Sequence, residues 1–274
     1  DATFNQHEKW DANDPERYKY EVATMGCRTR VYENLNGPKT SIGRGNLSFT
    51  TINLVKIALK CNDLNDYFTN LTKYVYLAIK QLKERYDFQK TALKKQFPLL
   101  MSGMWNNSEK LSFEDTVESV ISQGTLGVGF IGLAETLVVL TGKHHGESQE
   151  SREFGERIIG FLREKLDKFT EETHLNWSCY ATPAEGLSGR FVNIDRAMYG
   201  KIKGVTDKDY YTNSFHVPVH YNISIKNKLL LEAINTLQTE LHIIISNSQR
   251  ISDQLKEASS SVEELSSHTS ENAN

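Results

Sequence analysis

The chain has 274 residues, 38% of them apolar and 24% charged, with a formal net charge of −3 at pH 7. That length suits one large α/β domain or two smaller ones and buries a sizeable core without staples. A slightly acidic chain lacks the basic patch of a nucleic-acid binder, and no apolar run or signal peptide points to a membrane, so neither DNA nor membrane is an expected partner. The cysteines, Cys27, Cys61 and Cys179, are odd in number and widely spaced. With no CxxC pair they argue against a disulfide framework or a Cys-based zinc site, and they fit a reducing cytoplasm. A start at Asp1 is what a fragment or a processed form would show.

Residues 1–50 are rich in turn formers, among them Asn13, Pro15, Gly37, Pro38, Gly43 and Gly45, which predicts loops and short strands. From 51 to 97, Leu64, Tyr67, Leu71, Val75 and Leu82 recur at helical spacing, and Pro98 stops the run. Further helices are predicted at 113–122, at 129–141 before Gly142, and at 148–172. Residues 176–191 read as a loop-rich stretch with room for a short strand. Residues 215–225 alternate as a strand does, with Pro218 marking an edge or an end. From Lys228 onward there is no Gly or Pro, and apolar residues from Leu230 to Leu265 follow a 4, 3 spacing. That heptad series predicts a long coiled-coil helix and places a domain boundary near 228–236.

Several motifs invite a chemical reading. Gly127-Val-Gly129-Phe-Ile-Gly132 matches GxGxxG. The preceding 113–123 segment reads as a helix where a dinucleotide site needs a strand, so the favoured reading is a helix N-terminus packed against a neighbour. His144 and His145 are adjacent and read as a solvated loop. His216 and His220 lie four apart, but on a strand that is roughly 13 Å, too far for one metal. Ser178 and Ser188 have no evident His and Asp partners, so serine hydrolysis has no support. Tyr180, Thr182, Glu185 and Arg190 crowd one polar loop, which reads equally well as functional or as a plain connection. Cys27 lies in a Gly-bearing loop between Gly26 and Arg28, with Arg30 close by. A lone cysteine is more often a buried hydrophobe, but the arginines favour a thiolate.

Five blocks then stand in order: MGCRTRV, GRGNLSFTTINL, GTLGVGFIGLAE, NWSCYATPAEGLSGRF and NSFHVPVHYNISI. Together they closely resemble the anaerobic, class III ribonucleotide reductases over about residues 1–233. The resemblance implies an α/β fold, part of the ten-stranded barrel of glycyl-radical enzymes. It also implies reduction of ribonucleoside triphosphates to deoxyribonucleoside triphosphates. Cys27 matches the cysteine that becomes the thiyl radical and takes the 3′-hydrogen of the ribose. Asn46 matches the asparagine that hydrogen-bonds the ribose hydroxyls, which a neutral amide can do in a dry site. Ser48, Thr182 and Arg190 are candidate neighbours of the triphosphate.

By the same resemblance the expected partners are a radical-SAM activating enzyme, a second copy of the chain in a homodimer, and formate or thioredoxin as reductant. The family's four-cysteine zinc site and radical glycine have no match here, no RVxGY-like sequence occurs, and regulation by ATP or dNTP effectors is left open. The expected organisation is therefore a partial catalytic barrel at 1–228, inactive alone, and a helical tail at 229–274. The tail resembles a methyl-accepting chemotaxis protein signalling helix. The alternative function is a helical signalling or interaction module with a residual globular part.

Overall fold

A computed structural model describes residues 11, 13–20, 24–25, 29–30, 32–182 and 184–228. The chain divides into two units, Asp1–Asn222 and Ile223–Asn274. In the second, only 223–228 are described, so the heptad series lies outside the described residues.

Two short strands, β1 (Thr24–Met25) and β2 (Thr29–Arg30), pair antiparallel with Met25 opposite Thr29. The main sheet has three parallel strands in the order β3 (Asn46–Asn53), β4 (Thr125–Ile131), β5 (Asn176–Ala181). Parallel neighbours need a long crossover, and helices supply each one. After β3 come α1 (Leu54–Lys60) and α2 (Leu64–Gln89), and α3 (Glu118–Ile121) precedes β4. After β4 come α4 (Leu133–Thr141) and α5 (Gln149–Thr173), and α6 (Glu185–Tyr199) follows β5.

Local signals explain the helix starts. The Asp63 side chain accepts from Asp66 N–H to cap α2, and Ser148 accepts from Ser151 N–H to cap α5. Along α2, Tyr67, Leu71, Val75, Leu82 and Tyr86 fall on one stripe. That stripe meets Ile158, Leu162 and Leu166 of α5 and the helix-facing side of the sheet in one core. A second, smaller cluster joins Val55, Ile131, Val192 and Tyr211 at the carboxyl end of the strands.

Five expectations of secondary structure need correction. Residues 176–191, read as loop-rich, hold β5 and the first turns of α6. Residues 51–53 belong to β3, and the helical run breaks between Lys60 and Leu64. Only 118–121 of the 113–122 segment is α-helical. The glycine motif is β4 itself, with helix beginning only at Leu133. All seven β4 residues are buried, and a strand covered on both faces shows no alternation to read. Residues 215–225 form turns: His216 N–H reaches Asn213 O and Tyr221 N–H reaches Pro218 O. The alternation there reflects Val217 packing inward, not a ladder.

His144 and His145 are also not solvated; they are 7% and 4% exposed. His145 Nε2 lies 2.9 Å from Phe215 O, and His144 Nε2 lies 3.5 Å from Glu147 Oε2. Burial lowers the His144 pKa, Glu147 opposes that, and His220 adds to it. No group of three metal-ligating side chains occurs among the described residues.

Leu71 is fully buried, whereas Leu77 on the same helix is 61% exposed. Leu71→Ala is expected to cost about 2–5 kcal/mol, and Leu77→Ala within about 0.5 kcal/mol. Urea unfolding of the two variants checks the contrast, and equal losses would contradict this packing.

Candidate active site

The two faces of the sheet carry different chemistry. One turns to α2 and α5: Arg85 donates to Ser48 Oγ at 3.1 Å, and Thr50 Oγ1 donates to Gln81 at 3.0 Å. Leu126, Val128, Phe130 and Trp177 fill the rest of that face. By strand alternation the other face carries Phe49, Thr51, Gly127, Gly129, Ser178 and Tyr180.

The register shifts between Asn46 and Ser48, so Asn46 pairs with Thr125. That irregularity puts Asn46 on the glycine face, where Thr125 Oγ1 donates to Asn46 Oδ1 at 2.7 Å. Ser48 therefore faces the opposite side from Asn46. Cys27 lies outside the described residues; the backbone on either side of 26–28 is the paired β1 and β2.

The glycines shape this face. The Tyr180 ring lies across β4, and a Cβ added at Gly127 would come within 2.7 Å of it. A Cβ at Gly129 would overlap Thr182 Oγ1. Thr182 Oγ1 in turn lies 3.0 Å from Thr51 Oγ1, a hydroxyl pair that spans the sheet from β5 to β3. The Tyr180 hydroxyl is buried and forms no hydrogen bond of normal geometry among the described residues. Burial pushes it up to about 12, against the smaller pull of the Thr51 and Thr182 hydroxyls beside it. It stays a protonated donor at neutral pH.

α6 starts just after Thr182. One side of it and the loop at 209–213 enclose a cleft of about 1040 Å³. Arg190 and Asn193 line it from the helix, and Asp209, Tyr210 and Asn213 from the loop. Thr182 lies six residues beyond Asn176, the partner in line with Asn46, so the two ends of this face are roughly 20 Å apart. The structure thus groups Thr182 with the Arg190 end and leaves Asn46 at the other.

Sequence reasoning passed over Arg44, in the GRGN block. It is buried, donates from Nε to Gln123 O at 3.0 Å, and donates from Nη1 to Tyr32 O and Glu33 O at 3.2 and 2.5 Å. It ties the strand start at Asn46 to the chain that leaves β2. Burial pushes its pKa down to about 10, with Glu33 opposing. Its place between two glycines in a turn was the available signal. Cys179 faces α5, and burial pushes its thiol up to about 12, which makes it a core residue rather than a nucleophile.

The comparisons give this architecture its family. A sequence model described as anaerobic ribonucleoside-triphosphate reductase matches residues 2–246. The chain is 36% identical over 216 residues to the anaerobic ribonucleoside-triphosphate reductase of Escherichia coli K12, covering 76% of this chain and 30% of that protein. It is 34% identical over 228 residues to the enzyme of the same name from Enterobacteria phage T4, covering 77% and 35%. Among solved structures, the anaerobic ribonucleotide reductase from Thermotoga maritima with glycerol in the active site aligns with a TM-score of 0.55 at 20% identity, over 73% of this chain and 31% of that one. The same enzyme with citrate in the active site gives 0.54 over 71% and 33%. The fold is thus shared with that class of α/β enzyme. The chain belongs to the anaerobic ribonucleoside-triphosphate reductase family, and it spans about a third of the length of the curated relatives it matches.

The crowding at Gly129 yields a test. Gly129→Ala is expected to destabilise the chain by about 1–3 kcal/mol, because the new methyl meets Thr182. Adding Thr182→Ala should recover part of the loss. A double mutant cycle in urea measures this, and strict additivity would show that the two do not meet.

Proposed function

We propose that this segment carries the reducing centre of an anaerobic reductase that converts ribonucleoside triphosphates to deoxyribonucleoside triphosphates for DNA synthesis. The observation that carries the reading is family membership over residues 2–246, joined to an Asn46 that sits on the hydroxyl-bearing sheet face. In this reading the three strands are part of a ten-stranded barrel, 1–228 is the partial catalytic portion, and 229–274 is a heptad-patterned helical tail.

The glycyl radical used by the family, expected on a segment outside these residues, supplies the oxidising equivalent that makes the Cys27 thiol a thiyl radical. Cys27 then takes the 3′-hydrogen of the ribose, a step open to a thiol because its S–H bond is close in strength to that C–H bond. Asn46 holds the ribose hydroxyls. Its Oδ1 is already engaged by Thr125, so Nδ2 is the free donor. The 2′-hydroxyl takes up a proton and leaves as water, formate or thioredoxin supplies two electrons, and the Cys27 thiol returns its hydrogen to C3′, which closes the product and restores the thiyl radical. The triphosphate lies toward Thr182 and Arg190, where the amino end of α6 and a guanidinium favour anions. Ser48, turned to α2 and held by Arg85, lies on the opposite face and has no contact with the triphosphate in this reading. A radical-SAM activating enzyme, a homodimer and a cytoplasmic setting complete the picture.

The test is an anaerobic assay of a complete reductase bearing this segment, with its activating enzyme and 3′-tritiated CTP. Cys27→Ser should abolish dCTP formation together with any exchange of tritium into water, and Asn46→Ala should lower kcat by about 10²–10³. Turnover by Cys27→Ser would overturn the assignment. The isolated 274-residue chain should form no dCTP.

The heptad series supports a second role, association through the tail. Sedimentation of the chain truncated after Lys228 should then show a monomer where the 274-residue chain is a dimer. A truncated chain that still dimerises would remove the tail from that role.

A further inference from the structure

Residues 211–213 are tied down from several sides at the carboxyl end of β4. Gly132 N–H donates to Thr212 O at 3.0 Å, and Ile131 bridges to Asn213. Glu135, in the first turn of α4, accepts at Oε1 from Thr212 N–H at 2.9 Å and from Thr212 Oγ1 at 2.7 Å. Asp195 of α6 is fully buried and accepts at Oδ2 from Tyr211 at 3.0 Å and from Asn53 Nδ2 at 2.7 Å. Asn53 also caps α1. Three consecutive residues are thereby fixed to β4, α4, α6 and the end of β3.

This anchoring is not explained by stability. Two buried carboxyls, each with one oxygen that meets no donor among the described residues, are expensive to desolvate. What the anchoring does is place Asn213 on the wall of the cleft that faces α6. Its Oδ1 is withdrawn from solvent and meets no donor among the described residues. That leaves the Nδ2 donor as the amide's contact with the cleft. Across the cleft, Arg190 is exposed and makes no hydrogen bond or ion pair among the described residues. Asp209, on the loop wall, works against an anion there, and Arg190 offsets it.

We propose that Asn213 is an anion-binding residue opposite Arg190, donating its amide to phosphate oxygens of the nucleotide, and that Glu135 and Asp195 are the residues that position it. The proposal rests on the triphosphate reading of the α6 cleft given above.

Titration calorimetry of the 274-residue chain with sodium tripolyphosphate and with CTP tests it. Asn213→Asp, nearly the same shape but negative, should weaken tripolyphosphate and CTP alike by about tenfold or more, read at a temperature below its own melting transition because a carboxylate oxygen buried without a donor also lowers stability. Asn213→Ala should weaken both less. If Arg190→Ala weakens binding but both Asn213 variants bind as the parent does, the cleft reading stands and this proposal falls. If the parent chain binds neither ligand, both fall.

Discussion

The middle strand of the sheet, β4, works under a constraint that its neighbours do not share, because both of its faces are covered along all seven residues. On one side Leu126, Val128 and Phe130 meet the long helices; on the other, Gly127 and Gly129 lie under Tyr180 and beside Thr182. A side chain at either glycine would push β5 residues off this face. The close approach lets a hydroxyl pair span the sheet and keeps Tyr180 flat. The register irregularity at the start of β3 then brings Asn46 onto the same surface. One packing requirement in β4 therefore shapes the whole candidate surface.

Around that surface, charge is used to place backbone. Arg44 is buried against main-chain carbonyls, with no carboxylate hydrogen-bonded to it among the described residues, and it joins the turn before Asn46 to the segment after β2. At the other end of the strands, Asp195 and Glu135 are buried against neutral donors. Such groups add little net stability after desolvation, but their donors and acceptors specify one arrangement of loops over the sheet. The candidate face thus has an ordered polar frame at both ends, with small or neutral side chains between.

Much of this was legible beforehand, and the gaps have identifiable causes. The α2 and α5 helices carry a clean apolar stripe and side-chain caps; α5 was predicted to within a residue at each end, whereas the run at 51–97 merged the end of β3, α1 and α2 into one helix. β4 was misread as the start of a helix because a doubly buried strand shows a continuous apolar run with no alternation; of that motif only Gly132 caps a helix. The turns at 215–225 were misread because their apolar and polar residues alternate in the sequence although only the adjacent Val217 and Pro218 are buried. His144 and His145 carried no sign of burial, since their partners, Phe215 and Glu147, come from a distant loop and from the same turn.

By itself the sequence determined the long helices, through local periodicity and caps, and the family, through five ordered blocks that also single out Cys27 and Asn46. Only the tertiary structure decided which residues share a face. It separated Ser48 from Asn46, set Thr182 beside Thr51, and drew Arg44, Glu135 and Asp195 into the interior. The reason is physical: alternation, register irregularities and buried polar contacts depend on partners up to 142 residues away along the chain, and no local spacing encodes them.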